Sequence, residues 1–569
     1  MDRQFFEEQA QRVTGLQHEL RQALDPFGLV ATTLKAQQAW LLHPEALSRQ
    51  LLNWSADYTQ WHKMILARTL GAPDNDLFPP HPDDTRFADP VWRDSPFWDG
   101  IKEWYLFNTR WLQDALYATP SLCDQERSRS AFWLRQVLNA VAPTNYLATN
   151  PVAIARALAT HGDSLLLGYQ NYARDMGRGD IPMTDMDAFK VGENLATTPG
   201  AVVYRGKLLE VLHFEATTPT VNKVPVVIVS PWINKYYVLD LDSRKSMVKW
   251  LTDQGHSVYI TSWKNPDASY RDIGFDEYVT DGIDRIVEVA RAISGSDTVN
   301  LAGYCIGGTL VATYLAWLAA RGEAAKIESA TLLTTLTDFS RPGDIEVFLD
   351  EEGLSFVEQT IARKGYLDGK EMAASFRMLR ANSLVWNYWV SNYLLGETPM
   401  AFDVLFWNMD TTRMPEKMHC YYLREFYFKN KLIAPDALTI AGQPIDLGRI
   451  STPLFMVSTE EDHIAPWLQT WKLTERASGP VTFTLSTSGH IIGIVNPPSP
   501  TSKRSYWQGS VNKGEAADGW LARQGKTAGS WWPSWSAWLA ERGGGQVKPK
   551  LSSRQYPNLG DAPGSYVLE

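Results

Sequence analysis

A chain of 569 residues is too long for one ordinary domain, so two or three are expected. Apolar residues at 44% supply a sizeable core, and charged residues at 21% exclude a disordered polypeptide. The net charge of -10 gives no reason to expect a nucleic-acid partner, and 12% aromatic residues read either as bulky core or as an apolar binding surface. The three cysteines, Cys123, Cys305 and Cys420, are too few for a disulfide framework. They form no CxxC pair and no Cys/His cluster of zinc spacing, so a reducing cytoplasm is expected and no metal. The opening MDRQFFEEQAQR has no apolar h-region, and the longest apolar stretch, near Leu310–Ala320, is too short for a bilayer; neither a signal peptide nor a membrane span is expected.

Residues 1 to about 185 read as a helical N-terminal domain. Apolar residues recur at helical spacing in EEQAQRVTGLQHELRQAL and in FWDGIKEWYLFNTRWLQDAL, with a break at FPPHPDD. From about residue 186 the texture becomes α/β. A hairpin is expected over Ala201–Glu215, then strands at Val224–Ser230, His256–Trp263, Thr298–Cys305 and Ile327–Phe339. Helices are expected near Ser246–Asp253, over Asp276–Ile293 and after Cys305. Strands that are apolar throughout, alternating with helices, imply a parallel sheet covered on both faces. Residues of about 340–440, aromatic and helical, interrupt the alternation, and an insertion there is expected to cap the strand C-termini. Strands resume at Pro453–Asp462 and Pro480–His490, and the Gly/Pro-rich end from Gly543 reads as a loose or docked tail.

The stretch that carries chemistry is Gly303-Tyr304-Cys305-Ile306-Gly307-Gly308, between an expected strand and an expected helix. In that context GxCxGG is the nucleophile turn of an α/β-hydrolase fold. Gly303 and Gly307 leave room for neighbouring backbone, and the helix N-terminus is expected to lower the thiol pKa. The Ile306 amide is a candidate oxyanion donor. This fold takes its nucleophile, acid and histidine in that chain order, which points to Asp462 and His490 at the ends of later strands. Glu460 and Glu461 are rival acids, and His463 a rival histidine, but the place of Asp462 before HIAPW favours it. The second oxyanion donor belongs in the loop Ser230–Tyr237, at the amide of Trp232 or Ile233, unless this aromatic loop only walls the site. Gly525-Lys526-Thr527 lacks the earlier glycine of a phosphate loop, and Asn53-Trp54-Ser55 as a glycosylation acceptor means nothing in a cytoplasmic chain.

At these residues the chain resembles the polyhydroxyalkanoate synthases, or poly(3-hydroxyalkanoate) polymerases. The likeness runs through FWDGIKEWYLFNTRWL, SPWINKYYVLDL, GYCIGG, LVWNYWVSNYLLG, FDVLFWN, EDHIAPW and SGHIIGIVNPP, and so through nearly the whole chain. It implies a helical N-terminal domain, an α/β-hydrolase domain with a mobile cap, a homodimer, and catalytic Cys305, Asp462 and His490. It also implies polymerisation of (R)-3-hydroxyacyl-CoA with release of CoA at a cytoplasmic polymer granule, alongside granule-associated proteins. The ending APGSYV is similar to that of the one-subunit class that takes short acyl chains. No cofactor is expected, since CoA arrives as part of the substrate. The alternatives are a thiol-dependent esterase or thioesterase with the same triad, and a non-catalytic granule scaffold. The N-terminal extension argues against the first and the complete triad against the second.

Overall fold

The computed structural model of the protein describes residues 29–73, 76–82 and 84–569. The helix expected within EEQAQRVTGLQHELRQAL lies outside them. The chain divides into two compact units, one of Met1–Asp185 with Asp350–Phe356 and Ala374–Met400, the other of Met186–Leu349, Val357–Ala373 and Ala401–Glu569.

The first unit is helical: α1 (Leu29–Leu42), α2 (Pro44–Thr69), α3 (Pro96–Tyr117), α4 (Asp124–Ala140), α5 (Pro151–Ala159) and α6 (Asp163–Arg178). Asn150 starts α5 by accepting from the Val152 and Ala153 amides at 3.0 and 3.1 Å, with Pro151 at the first helical position. Phe87, Trp92, Tyr105 and Ala142 form a small core. A buried ion network lies beside it. Arg68 pairs with Asp99, and the Lys102 ammonium lies 2.9 Å from Asp99 and 2.7 Å from Asp76. Glu103 is fully buried, and burial pushes its carboxyl up to about 7. Parts of the expected cap belong to this unit. Gln136 Nε2 donates to the Met378 carbonyl at 3.0 Å, Asn392 Nδ2 to that of Pro182 at 3.0 Å, and Tyr393 to Asp175 at 3.1 Å.

The second unit is built on one ten-stranded sheet: β1 (Gly200–Arg205), β2 (Leu209–Phe214), β3 (Val226–Val229), β4 (Val258–Trp263), β5 (Val299–Tyr304), β6 (Ile327–Leu333), β7 (Leu454–Thr459), β8 (Val481–Ser486), β9 (Ser505–Ser510) and β10 (Thr527–Ala528). Their spatial order is β1-β2-β4-β3-β5-β6-β7-β8-β9-β10. β4, β3, β5, β6, β7 and β8 run parallel, and the flanking pairs are antiparallel. The parallel strands are buried on both faces, as their unbroken apolar runs require. Helices α7 (Met247–Asp253), α8 (Asp284–Ser294), α9 (Ile306–Ala320) and α10 (Trp532–Ala540) accompany the sheet. The helix expected from Asp276 is continuous but carries a π-helical turn, Tyr278–Ile283, where Trp263 packs against Gly282.

The Gly/Pro-rich tail is docked. Gln546–Val547 pairs with Val221–Asn222, and residues 559–562 bond to Gly200 and Val202 of edge strand β1 at 2.8–2.9 Å. Buried Glu210 fastens the end, accepting from the Ser565 and Tyr566 amides at 2.9 and 3.0 Å. The edge of β1 is therefore covered. Much of the tryptophan richness is core: Trp471, Trp520, Trp531, Trp532 and Trp535 are among the largest fully buried side chains. Among the described residues no helix is long and apolar enough to cross a membrane.

Three imidazoles are buried neutral. Burial pushes His213, His256 and His419 down to about 4. His256 bridges Asn222 at 3.1 Å and Ser536 at 3.0 Å, tying α10 to the start of the sheet. Above pH 6.5 these rings are neutral folded or unfolded, and their contribution is complete. As pH falls from 6.5 toward 4, the unfolded chain takes up protons that the folded one refuses, and stability falls by up to roughly 4 kcal/mol per pH unit. Glu103 and His490, both raised in the folded protein, gain stability over the same interval and oppose this fall, so the readout is the difference between two proteins. From pH 7.5 to 5.5 the urea midpoint of His256→Asn is expected to fall less, or rise more, than that of the parent, and an identical change in both contradicts this account.

Candidate active site

β5 delivers the chain to Cys305, and α9 begins at the next residue. Cys305 has φ 54° and ψ −122°, a conformation that a side chain disfavours. Hydrogen bonds hold it there: its N–H donates to the Leu333 carbonyl at 2.9 Å, and its carbonyl accepts from Gly308 and Thr309 at 2.9 and 3.2 Å. The flanking glycines let strand and helix approach. A Cβ on Gly303 would lie 2.6 Å from Gly308 Cα, and one on Gly307 would lie 2.3 Å from the Val229 carbonyl oxygen. Both therefore keep the role expected of them. Gly308, to which the sequence assigned none, packs as closely on Thr335.

Asp462 lies in the turn after β7 and His490 in the turn after β8, both beyond strand C-termini on the side where β5 ends in Cys305. His490 Nδ1 is 2.7 Å from Asp462 Oδ2. Asp462 Oδ1 accepts from the Ile464 and Ala465 amides at 2.9 and 2.8 Å, and Oδ2 also accepts from Thr459 at 3.2 Å. The carboxylate is thus saturated and its direction fixed. Cys305 lies near enough to His490 for its charge to act on the ring. Burial opposes charge on both groups. Against it, Asp462 and then Cys305 hold His490 well above its ordinary value, and His490 with the two amides holds Asp462 below the usual carboxylate range. Glu460 and Glu461 are exposed. His463 is half-buried, its carbonyl accepting from the Asp344 amide at 3.1 Å.

The Ile306 amide is the first of α9 and has no acceptor within the helix. Trp232 and Ile233 follow Ser230, whose carbonyl packs against Gly307 at the start of α9. Ser230 is fixed by Thr261 at 2.7 Å and by the Trp263 indole at 2.8 Å. Among the described residues neither the Trp232 nor the Ile233 amide is spent on a backbone hydrogen bond. The Trp232 ring is buried between Trp263 and Tyr278, with centroids 5.5 and 4.7 Å away.

Several residues around the site carry no mark in the sequence. Tyr304 stacks beside His490, with ring centroids 5.6 Å apart. The indoles of Trp531 and Trp532 donate to the Gly493 and Ile494 carbonyls at 3.0 and 2.9 Å, anchoring the turn that carries His490. The rings of Tyr422 and Tyr427 meet edge-on, centroids 5.3 Å apart, near Cys305. Burial pushes both phenols up, and the charge of Cys305 adds to it. They belong to an aromatic cluster with Phe275, Phe339 and Phe426. The aromatic density of CYYLREFYF was visible, but which rings face Cys305 depends on the π-helical turn Tyr422–Phe428.

A mixed sheet in this strand order, a strained turn at Cys305 after β5 and a buried acid–histidine pair after β7 and β8 define an α/β-hydrolase-fold protein. Residues 225–497 match the family described as alpha/beta hydrolase fold, and residues 83–251 the one described as Poly-beta-hydroxybutyrate polymerase (PhaC) N-terminus. The chain is 40% identical over 544 residues to the poly(3-hydroxyalkanoate) polymerase subunit PhaC of Rhizobium meliloti (strain 1021), covering 95% of this chain and 88% of that one. It is 42% identical over 491 residues to the protein of the same name from Cupriavidus necator, covering 85% and 83%. The chain belongs to the poly(3-hydroxyalkanoate) polymerase family, whose members are acyl-transferring synthases. Among solved structures, a monoacylglycerol lipase of Paleococcus ferrophilus aligns over 50% of this chain and 90% of its own at 16% identity, with a TM-score of 0.30, too low to carry an argument.

Gly307→Ala tests the close approach that sets the turn. The added methyl forces α9 away from Val229. A loss of about 1–3 kcal/mol in stability is expected, with slower alkylation of Cys305 by iodoacetamide. Unchanged stability together with an unchanged alkylation rate would show that the approach does not matter.

Proposed function

We propose that this chain polymerises (R)-3-hydroxyacyl-CoA into polyhydroxyalkanoate, releasing CoA, through an acyl-enzyme on Cys305. The observation that carries the reading is the buried His490 ring held by saturated Asp462, with Cys305 near enough for its charge to act on that ring. Thiol attack on a thioester exchanges one C–S bond for another, so it is nearly isoenergetic. The Cys305 proton passes to His490 and the sulfur attacks the carbonyl carbon. The amide of Ile306, with that of Trp232 or Ile233, receives the oxyanion. The C–S bond to CoA breaks, and the CoA sulfur leaves with the proton from His490. The neutral ring then takes the proton of a 3-hydroxyl as that oxygen attacks the acyl-enzyme. The new ester forms and the thiol is restored.

Water would end the chain at the second step. The rings of Tyr422, Tyr427, Phe339 and Phe426 supply a barrier to it. No cofactor is called for. A homodimer and residence at the cytoplasmic granule surface belong to the same proposal and rest on the family.

With 3-hydroxybutyryl-CoA the protein is expected to release free thiol without free acid, and stoichiometric free acid would make it a hydrolase instead. Cys305→Ala should abolish release while staying folded, and turnover by that variant would sink the assignment. Loading needs only a thiolate, whereas elongation must deprotonate an alcohol and depends on an oriented, basic ring. Asp462→Asn is therefore expected to retain part of the loading of Cys305 while elongating roughly 10²–10⁴-fold more slowly. His490→Gln should impair both. Single-turnover acylation beside steady-state CoA release separates the steps, and equal losses in both for Asp462→Asn would give the carboxylate a part in loading.

A further inference from the structure

The loop that carries Trp232 and Ile233 is held by a second strip of chain. Thr412 reaches both residues: its hydroxyl donates to the Trp232 carbonyl and its amide to the Ile233 carbonyl at 3.2 Å. Asp410 holds the next turn, with one oxygen 2.8 Å from the Lys235 ammonium and the other accepting from the Tyr237 hydroxyl at 2.8 Å. The Trp407 indole donates to the Lys235 carbonyl at 2.6 Å. Asn234 pairs with Thr411 as an isolated bridge, and its Nδ2 approaches the carbonyls of Trp407, Asn408 and Asp410 at 3.4, 3.3 and 3.5 Å.

These contacts consume carbonyls and side chains of the loop, yet leave the Trp232 and Ile233 amides unspent within the backbone pattern. Thr412 alone holds the Trp232 and Ile233 carbonyls, and with them the peptide planes that carry the Ile233 and Asn234 N–H groups. A peptide plane held through its carbonyl has the direction of the next N–H fixed as well, because the bond between them is planar. Lys235 is nearly buried, its side chain 8% exposed, so its ion pair with Asp410 is largely shielded from water. Burial, with Asp410 adding to it, pushes the Tyr237 phenol up and keeps it a donor.

We propose that Asp410 and Thr412 are positioning residues of the acyl-transfer site: they aim the Ile233 amide of the Ser230–Tyr237 loop at the carbonyl oxygen of the bound thioester. This rests on the acyl-enzyme reading above, in which that loop supplies the second oxyanion donor. Neither residue need touch substrate. Removing one oxyanion donor typically costs about 10²–10³ in rate, and misaiming it costs about 10².

The test compares two reactions of Cys305 in the full-length protein. Acylation by 3-hydroxybutyryl-CoA develops an oxyanion; alkylation by iodoacetamide does not. In Asp410→Asn and in Thr412→Val, single-turnover acylation is expected to slow about 10²-fold, with KM and alkylation changed less than about twofold, while Thr412→Ser, which keeps the hydroxyl, retains acylation. Acylation within about twofold of the parent in both variants overturns the proposal. So does a parallel fall in acylation and alkylation, which would mean that the strip supports the whole site and not the loop. If Asp410→Asn does not fold, the Thr412 pair decides alone. A parent protein that is alkylated but never acylated at Cys305 would instead overturn the acyl-enzyme reading itself.

Discussion

Cys305 is held at φ 54° between the end of a buried strand and the first turn of a buried helix, a conformation that costs about 1–3 kcal/mol by itself. It persists because both ends are immobile. The strand is paired on each side within the sheet, and α9 is buried from Ile306 to Leu318. Gly303, Gly307 and Gly308 carry no side chain because backbone or Thr335 already occupies the space. The turn lifts one side chain above the strand ends, and everything else in the site is arranged to meet it.

What meets it is a charge pair taken out of water. A buried carboxylate and a buried imidazolium are costly unless each hydrogen-bonding position is filled. Here the Asp462 oxygens receive two amides, a hydroxyl and the imidazole, and Cys305 lies near the ring. The turn that carries the histidine is tied down by two tryptophan indoles and by the Ser530 hydroxyl on the Asn496 carbonyl. The same burial that raises the cost of the pair strengthens its coupling, so a small change in geometry has a large effect on proton position.

The sheet that provides this platform has an edge that would otherwise be open. The tail from Gly543 returns to cover β1, and Glu210, buried at the turn of the hairpin, accepts its last amides. Buried neutral histidines do similar work elsewhere: His213 bonds to the Leu551 carbonyl at 2.7 Å and His256 to Ser536 at 3.0 Å, linking C-terminal segments to the sheet. A chain end that reads as compositionally weak is thus part of the core's perimeter.

The sequence by itself determined the order of the strands along the chain, the nucleophile turn, and the acid and histidine that follow it, because each of these is encoded locally. Short runs apolar throughout, glycines around a cysteine, and polar residues just past a strand end are legible without knowing what packs on them. The helical break at FPPHPDD and the hairpin at Ala201–Glu215 were legible for the same reason. The sequence favoured Asp462 over Glu460 and Glu461, and the tertiary structure turns Asp462 inward while leaving the two glutamates exposed. Only the tertiary structure decided that parts of residues 340–440 pack with the N-terminal helices, and that Asp410 and Thr412 grip the Trp232–Ile233 loop. Those relations join residues far apart in the chain through shape and hydrogen bonding, and no local pattern records them.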